Sequence, residues 1–196
     1  LFQPMYVTLE TFEVTAREFL RAAPAKSFQP SAANFLPGPV TVRREVRRAF
    51  EPAPESHRAD GFQTDFQNTQ AMLCDLTHAA SVELLLGSGT LANDVVGAQL
   101  SLLPGKGVVL SNGEFGLRLA DHARRFKLRF DHFDFPWGAP LDLEAVREKF
   151  ARVPSPEWLW CAHCETSTGV LNDLAALKRL CAEYGVKLCL DAISSL

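Results

Sequence analysis

The sequence predicts an α/β fold of three layers, with helices covering both faces of a mostly parallel sheet. Two observations carry this expectation. From residue 82 onward, short strand-like runs alternate with helical stretches of about three turns. The first such run, Leu84-Leu85-Leu86, is apolar without a break and reads as a buried strand that stops at Gly87-Ser88-Gly89-Thr90.

Taken in order, residues 1–33 have no clear period over their whole length. They read as an arm or linker, or the tail of a preceding domain, with a short helix over 13–23. Residues 34–196 read as the start of one larger domain. Its first segment is extended and punctuated by Pro37-Gly38-Pro39. Thr41 is expected to cap a helix over 42–50, with Val42, Val46 and Phe50 on one side. A second helix is expected to begin at Asp65 or Asn68 and run to about Ala79, with Met72, Leu73 and Leu76 facing inward. Strands then follow at 82–86, 107–110, 128–133, 158–161 and 186–190. Helices are expected over 91–102, 115–126, 143–150 (capped by Asp142) and 174–184. Leu1 is not an initiator and the chain stops just after a strand-like run, so a piece open at both ends is expected, truncated at its C-terminus.

Composition narrows the class. The chain has 196 residues, of which 47% are hydrophobic and 22% charged, as in an ordinary globular protein. A net charge of -3 provides no electrostatic footprint for nucleic acid or an anionic membrane surface. No apolar run reaches membrane-span length, and no secretory signal opens the sequence. Five cysteines, an odd number in hydrophobic or helical contexts, suggest reduced thiols and a cytoplasmic protein.

In parallel sheets, ligands bind beyond the carboxyl ends of the strands. Four such ends carry chemistry: Gly87-Ser88-Gly89-Thr90, Ser111-Asn112-Gly113-Glu114-Phe115-Gly116, His163-Cys164-Glu165-Thr166-Ser167-Thr168-Gly169 and Asp191-Ala192-Ile193-Ser194-Ser195. The first places unpaired backbone N–H groups and two hydroxyls at a helix N-terminus, a cradle for phosphate. Two cofactors compete for this set. Gly87 to Ala92 satisfies the dinucleotide fingerprint G-x-G-x-x-G/A, and Glu114 lies 25 residues past Gly89, so an NAD-linked oxidoreductase is one reading. That motif, however, follows some 80 residues of other material instead of opening the first βαβ unit. Pyridoxal 5'-phosphate uses more of the set, because it needs a phosphate cup, a face for a flat ring, a donor for the ring hydroxyl and a carboxylate on the pyridine nitrogen. Ser88, Gly89 and Thr90 supply the cup, Phe115 one face, Ile193 the other, Thr166 the donor and Asp191 the carboxylate.

These motifs, together with Asn112-Gly113-Glu114-Phe115-Gly116-Leu117-Arg118, occur in the order and spacing of class V aminotransferases, which are fold-type I pyridoxal-phosphate enzymes. The chain resembles most the alanine–glyoxylate and serine–pyruvate branch, from about Asn34 to its last residue. The resemblance implies the large-domain fold of those enzymes, present in part, and transfer of an amino group from a small amino acid to a 2-oxo acid. It also implies a homodimer, with residues 35–39 near the substrate mouth and the subunit interface. The same floor serves 2-aminoethylphosphonate transaminases, lyases and desulfurases. The family's Schiff-base lysine lies beyond residue 196, and Lys178 and Lys187 do not replace it, so no catalytic residue is assigned. The 196 residues alone are expected to be inactive.

Other groups read as structure. Cys161-x-x-Cys164 lacks a second ligand pair and reads as core filler, leaving no metal site. His163 reads as a structural histidine or a contributor to the cofactor pocket, Glu165 as a residue that orients the Thr166 loop or the substrate amine, and Arg118 as an anchor of its own helix. Ser56-His57-Arg58 resembles a segment that approaches the site in related transaminases but reads first as solvated surface, and Trp137 reads as a residue at a subunit contact.

Overall fold

A computed structural model of the chain describes residues 40–152 and 156–195. The chain divides into two units at Thr41–Val42, and of the first only Val40 and Thr41 are described. The arm over 1–33, its helix and the segment 34–39 therefore lie outside the described residues.

The second unit begins with α1 (Arg44–Arg48), α2 (Asp60–Thr77) and α3 (Gly89–Leu100). The alternating part follows as β1 (Gly107–Ser111), α4 (Glu114–Arg125), β2 (Phe130–Asp134), α5 (Leu143–Arg152) and β3 (Trp158–Ala162). A small hairpin, β4 (Cys164–Glu165) and β5 (Val170–Leu171), precedes α6 (Leu174–Tyr184) and β6 (Lys187–Asp191). The four long strands form one parallel sheet in the order β2-β1-β3-β6. The chain leaves β1 toward β2 and then crosses back to β3 on the other side. The order thus reverses between β1 and β3, where α/β sheets open a crevice for ligands.

Side-chain alternation along β1 and β3 sorts the core into two layers. Val108, Leu110, Leu159 and Cys161 pack with Val146 and Phe150 of α5 and with Leu177 and Leu180 of α6. Val109, Trp158 and Trp160 face the other way, onto Leu100 of α3 and Leu119, Ala120 and Ala123 of α4. A period of two therefore buries both faces, and β1 and β3 are buried at every residue. Local signals place the helices. The carboxylates of Asp142 and Asp173 accept the Ala145 and Ala176 N–H groups at 3.0 and 2.9 Å, capping α5 and α6. Gly185, at φ 67, ends α6 in the left-handed conformation that glycine adopts without strain.

Three expectations are corrected. Residues 82–86 form no strand, and Leu86 is fully exposed, because no strand among the described residues lies beside this run to complete a ladder. The second helix starts at Asp60, well before Asp65, and Met72 and Leu76 are about 70% exposed instead of inward. The first helix is the short Arg44–Arg48, with Arg43 and not Thr41 at its N-cap, and Val42, Val46 and Phe50 are exposed. Periodicity marked these faces as apolar, but burial needs a neighbouring element, and none among the described residues covers them. The hairpin β4–β5 was not foreseen. Its turn is closed by N–H donation from Thr168 and Gly169 to the Glu165 carbonyl, at 3.1 and 2.8 Å. No helix among the described residues is long and apolar enough to cross a membrane.

Candidate functional site

Asp191 ends β6 at the carboxyl edge of the sheet, paired in register with Ala162 of β3. Its carboxylate is held at both oxygens. Oδ1 accepts the Ile193 N–H at 3.2 Å, a local turn bond that aspartate readily forms. Oδ2 accepts the side-chain amide of Asn93 at 2.9 Å. Two donors at fixed positions set the plane of the carboxylate before any ligand arrives.

Asn93 belongs to the first turns of α3, the helix that begins at the glycine-rich turn. Ser88 is its N-cap, with Oγ 3.4 Å from the Leu91 N–H. The first N–H groups of a helix have no partner within it, so the Gly89–Thr90 end faces outward as a donor pair on the positive end of the helix dipole. Gly89 comes so close to the segment after β6 that a Cβ there would lie 2.6 Å from Cδ1 of Ile193. The glycine turn and the Asp191 segment are thus packed against each other.

Phe115 opens α4 after the loop that leaves β1. The N-terminus of α4 is satisfied from within the protein. The wholly buried Glu165 carboxylate accepts the Phe115 N–H at 3.2 Å and the Gly116 N–H at 3.0 Å, and Ser167 Oγ accepts the Glu114 N–H at 3.1 Å. Ser167 Oγ in turn donates to Glu165 at 2.5 Å. This carboxylate caps a helix, so of the two helix N-termini at the crevice only that of α3 is left for an external anion.

These elements enclose a pocket of about 150 Å³ lined by Gly89, Thr90, Asn93, Phe115, Arg118, His122, Asp191 and Ile193. Five of the seven residues expected from the sequence meet there. Ser88 sits behind the cup as a helix cap. Thr166 is not in the lining, and its Oγ1 donates to Ser194 Oγ at 2.8 Å, tying the Thr166 loop to the segment after Asp191. Asn93, Arg118 and His122 were not expected. Asn93 was legible in principle, since it lies four residues past Gly89 and three past Thr90, on their face of the helix. Arg118 does pair with its own helix, Nε to Glu114 at 2.9 Å, and its guanidinium also stands 5.2 Å from the Phe115 ring centroid. His122 is buried, with Nδ1 2.6 Å from Asp94 Oδ1, and Arg125 reaches the same carboxylate at 3.2 Å. That cluster links α3 to α4.

The remaining candidates lie elsewhere. Cys161 is buried and its thiol is pushed up by burial, while Cys181 is raised to about 11 for the same reason. Among the described residues no group of three or more His, Cys, Asp or Glu could hold a metal. His57 lines a separate open groove on α2 with Phe62 and Phe66, and Trp137 is exposed.

The residues fit a flat phosphorylated pyridine. A donor pair at a helix N-terminus faces one end, an aromatic and an aliphatic side chain border the middle, and a carboxylate with a preset plane stands at the other end. A Cβ at Gly89 would stand 2.6 Å from the Ile193 Cδ1 methyl, which would have to shift to make room for it.

Comparison with known proteins bears on the same set. No family model matches the chain. A protein named 2-aminoethylphosphonate–pyruvate transaminase from Pseudomonas entomophila (strain L48) is 32% identical over 161 residues, covering 81% of this chain and 44% of that protein. A protein of Anabaena cylindrica named soluble hydrogenase 42 kDa subunit is 33% identical over 166 residues, covering 82% of this chain and 43% of its own length. Among solved structures, the alanine–glyoxylate aminotransferase of Nostoc sp. superposes with a TM-score of 0.75 at 27% identity, over 86% of this chain and 46% of that one. The chain spans less than half the length of these relatives.

Proposed function

We propose, for a chain that belongs to the class V family of pyridoxal-phosphate-dependent aminotransferases, that the full-length protein transfers an amino group from a small amino acid of the alanine or serine type to a 2-oxo acid of the glyoxylate or pyruvate type. The observation that carries this reading is the pocket in which the Gly89–Thr90 helix terminus, the Phe115 ring and the Asp191 carboxylate converge. Pyridoxal 5'-phosphate, when bound, supplies the electron sink that such a transfer requires.

In this reading the Gly89 and Thr90 N–H groups, with Ser88 behind them, take the phosphate on the positive end of α3. Phe115 and Ile193 clamp the two faces of the ring and exclude water from them. Asp191 accepts the N–H of the pyridine nitrogen and so keeps the proton at that atom. Thr166 lies outside the pocket lining and gives its one hydroxyl proton to Ser194, so it would serve the ring oxygen only after releasing that bond. The reacting amine and the group that holds the substrate carboxylate belong to the rest of the protein.

The exposed apolar face of α2, with Phe62, Phe66, Met72 and Leu76, supports a homodimer, and five free cysteines support a cytoplasmic setting. A second donor, 2-aminoethylphosphonate, is favoured by the name of the Pseudomonas relative. The full-length protein, incubated with pyridoxal phosphate, glyoxylate and each of alanine, serine and 2-aminoethylphosphonate, tests the proposal by mass spectrometry of the products. Glycine should form with alanine or serine and should not form with an Asp191→Ala variant. Absence of amino transfer from all three donors would refute the reading, and transfer from the phosphonate alone would replace the donor.

A further inference from the structure

We infer that Asn93 is a positioning residue for Asp191, fixing the carboxylate that meets the pyridine nitrogen, and that one stretch of α3 thereby sets both ends of the cofactor site. This deepens the functional reading above and rests on it.

The inference starts from the bond between Asn93 Nδ2 and Asp191 Oδ2, 2.9 Å long and joining residues 98 positions apart. A carboxylate after a strand end has rotameric freedom, and the turn bond from Ile193 N restrains only Oδ1. The amide of Asn93 restrains the second oxygen, so the pair of donors defines the plane in which the remaining lone pairs point. Asn93 lines the same pocket as Asp191 and lies on the helical face of Gly89 and Thr90. Displacing α3 would therefore move the phosphate cup and the nitrogen's partner together. Asp94, the next residue, clamps that helix to α4 through His122 and Arg125, and α4 carries Phe115. Asn93 and Asp94 thus link the cup, the stacking face and the carboxylate through one helix.

An asparagine suits this role because its amide donates without adding charge beside a carboxylate. Leucine at this position would fill the space and remove the donor. Aspartate would keep the shape and set two carboxylates within hydrogen-bond distance, where one is driven to bind a proton.

The test uses the full-length protein and pyridoxal phosphate labelled with ¹⁵N in the ring. Wild type, Asn93→Leu, Asn93→Asp and Asn93→Gln are compared by dissociation constant and by ring ¹⁵N shift. Asn93→Leu should weaken binding about ten-fold, the worth of one hydrogen bond to a charged group. It should also move the ring nitrogen toward its unprotonated shift. Asn93→Gln, which retains a donor, should recover most of both. Asn93→Asp should bind poorly at alkaline pH and regain affinity relative to wild type as the pH falls, when the introduced acid can donate to Asp191. Because Asn93→Asp is isosteric, it decides the matter even where the leucine variant fails to fold. Equal affinity and equal nitrogen shift across the series would overturn the role of Asn93 alone. A wild-type protein that takes up no pyridoxal phosphate would defeat the functional reading instead.

Discussion

The buried carboxylate of Glu165 accepts the backbone N–H of Gly116 at 3.0 Å, from a hairpin 49 residues further along the chain. It accepts the Phe115 N–H as well, so together with Ser167 at the Glu114 N–H it pins the end of α4 that presents the Phe115 ring. Glu165→Ala should cost on the order of 3 kcal/mol, since two N–H groups lose a charged acceptor in a buried place. Glu165→Gln, retaining one acceptor, should cost about 1–2 kcal/mol. Equilibrium urea unfolding measures both, and an alanine variant within about 0.5 kcal/mol of wild type would contradict the assignment.

Gly89→Ala should separate binding from folding. The added Cβ meets the flexible end of Ile193, which can shift, and alanine is a better helix former than glycine. Stability should stay within about 1 kcal/mol while cofactor affinity falls roughly ten-fold, because the displaced Ile193 enters the ring's space. Adding Ile193→Ala should restore part of that affinity. A Gly89→Ala protein that binds the cofactor like wild type would show that the cup is not there.

Gly107 marks the opposite case. A Cβ on it would lie 2.0 Å from the indole of Trp158, the fully buried residue beside it in register across β1 and β3. An indole packed on all sides cannot yield as a free side-chain end does. Gly107→Ala should lower stability by about 3 kcal/mol or more, and Gly107→Ala with Trp158→Leu should be less damaged than the single variant. A thermal unfolding midpoint equal to wild type in the single variant would refute this packing.

A pH dependence is expected from His132. Its Nε2 is 2.7 Å from Ser111 Oγ, and its pKa is lowered from 6.5 chiefly by burial, with Arg124 adding to the shift and Asp134 and Asp121 opposing it. A histidine that binds its proton less readily when folded makes the unfolded state the better proton acceptor between the lowered value and 6.5. Stability should therefore rise with pH through that window and level off above it. His132→Gln should flatten that part of the profile relative to wild type, and unchanged curvature in urea midpoints would contradict it.

The alternating half of the chain was legible because its signals are local. Asp142, Asp173 and Gly185 mark helix ends by their own chemistry, and β1 and β3 are apolar enough to be buried on both faces. The run at 82–86 misled because apolarity reports a need for burial and not the presence of a neighbouring strand. Met72 and Leu76 misled for the same reason. Of the pocket residues, Phe115, Asp191 and Ile193 were legible as strand-end motifs, whereas Gly89 and Thr90 open α3 with no strand before them among the described residues. Asn93 and Glu165 act through tertiary bonds spanning 98 and 49 residues, and no local pattern encodes such a partner.

The central claim is that a phosphorylated pyridine lies between the α3 terminus and Asp191. A crystal structure of the full-length protein grown with pyridoxal phosphate tests it most directly. The expected density has the phosphate at Gly89 and Thr90, the ring between Phe115 and Ile193, and the ring nitrogen within hydrogen-bond distance of Asp191. Density for the cofactor in any other place, or with the nitrogen turned away from that carboxylate, would contradict it.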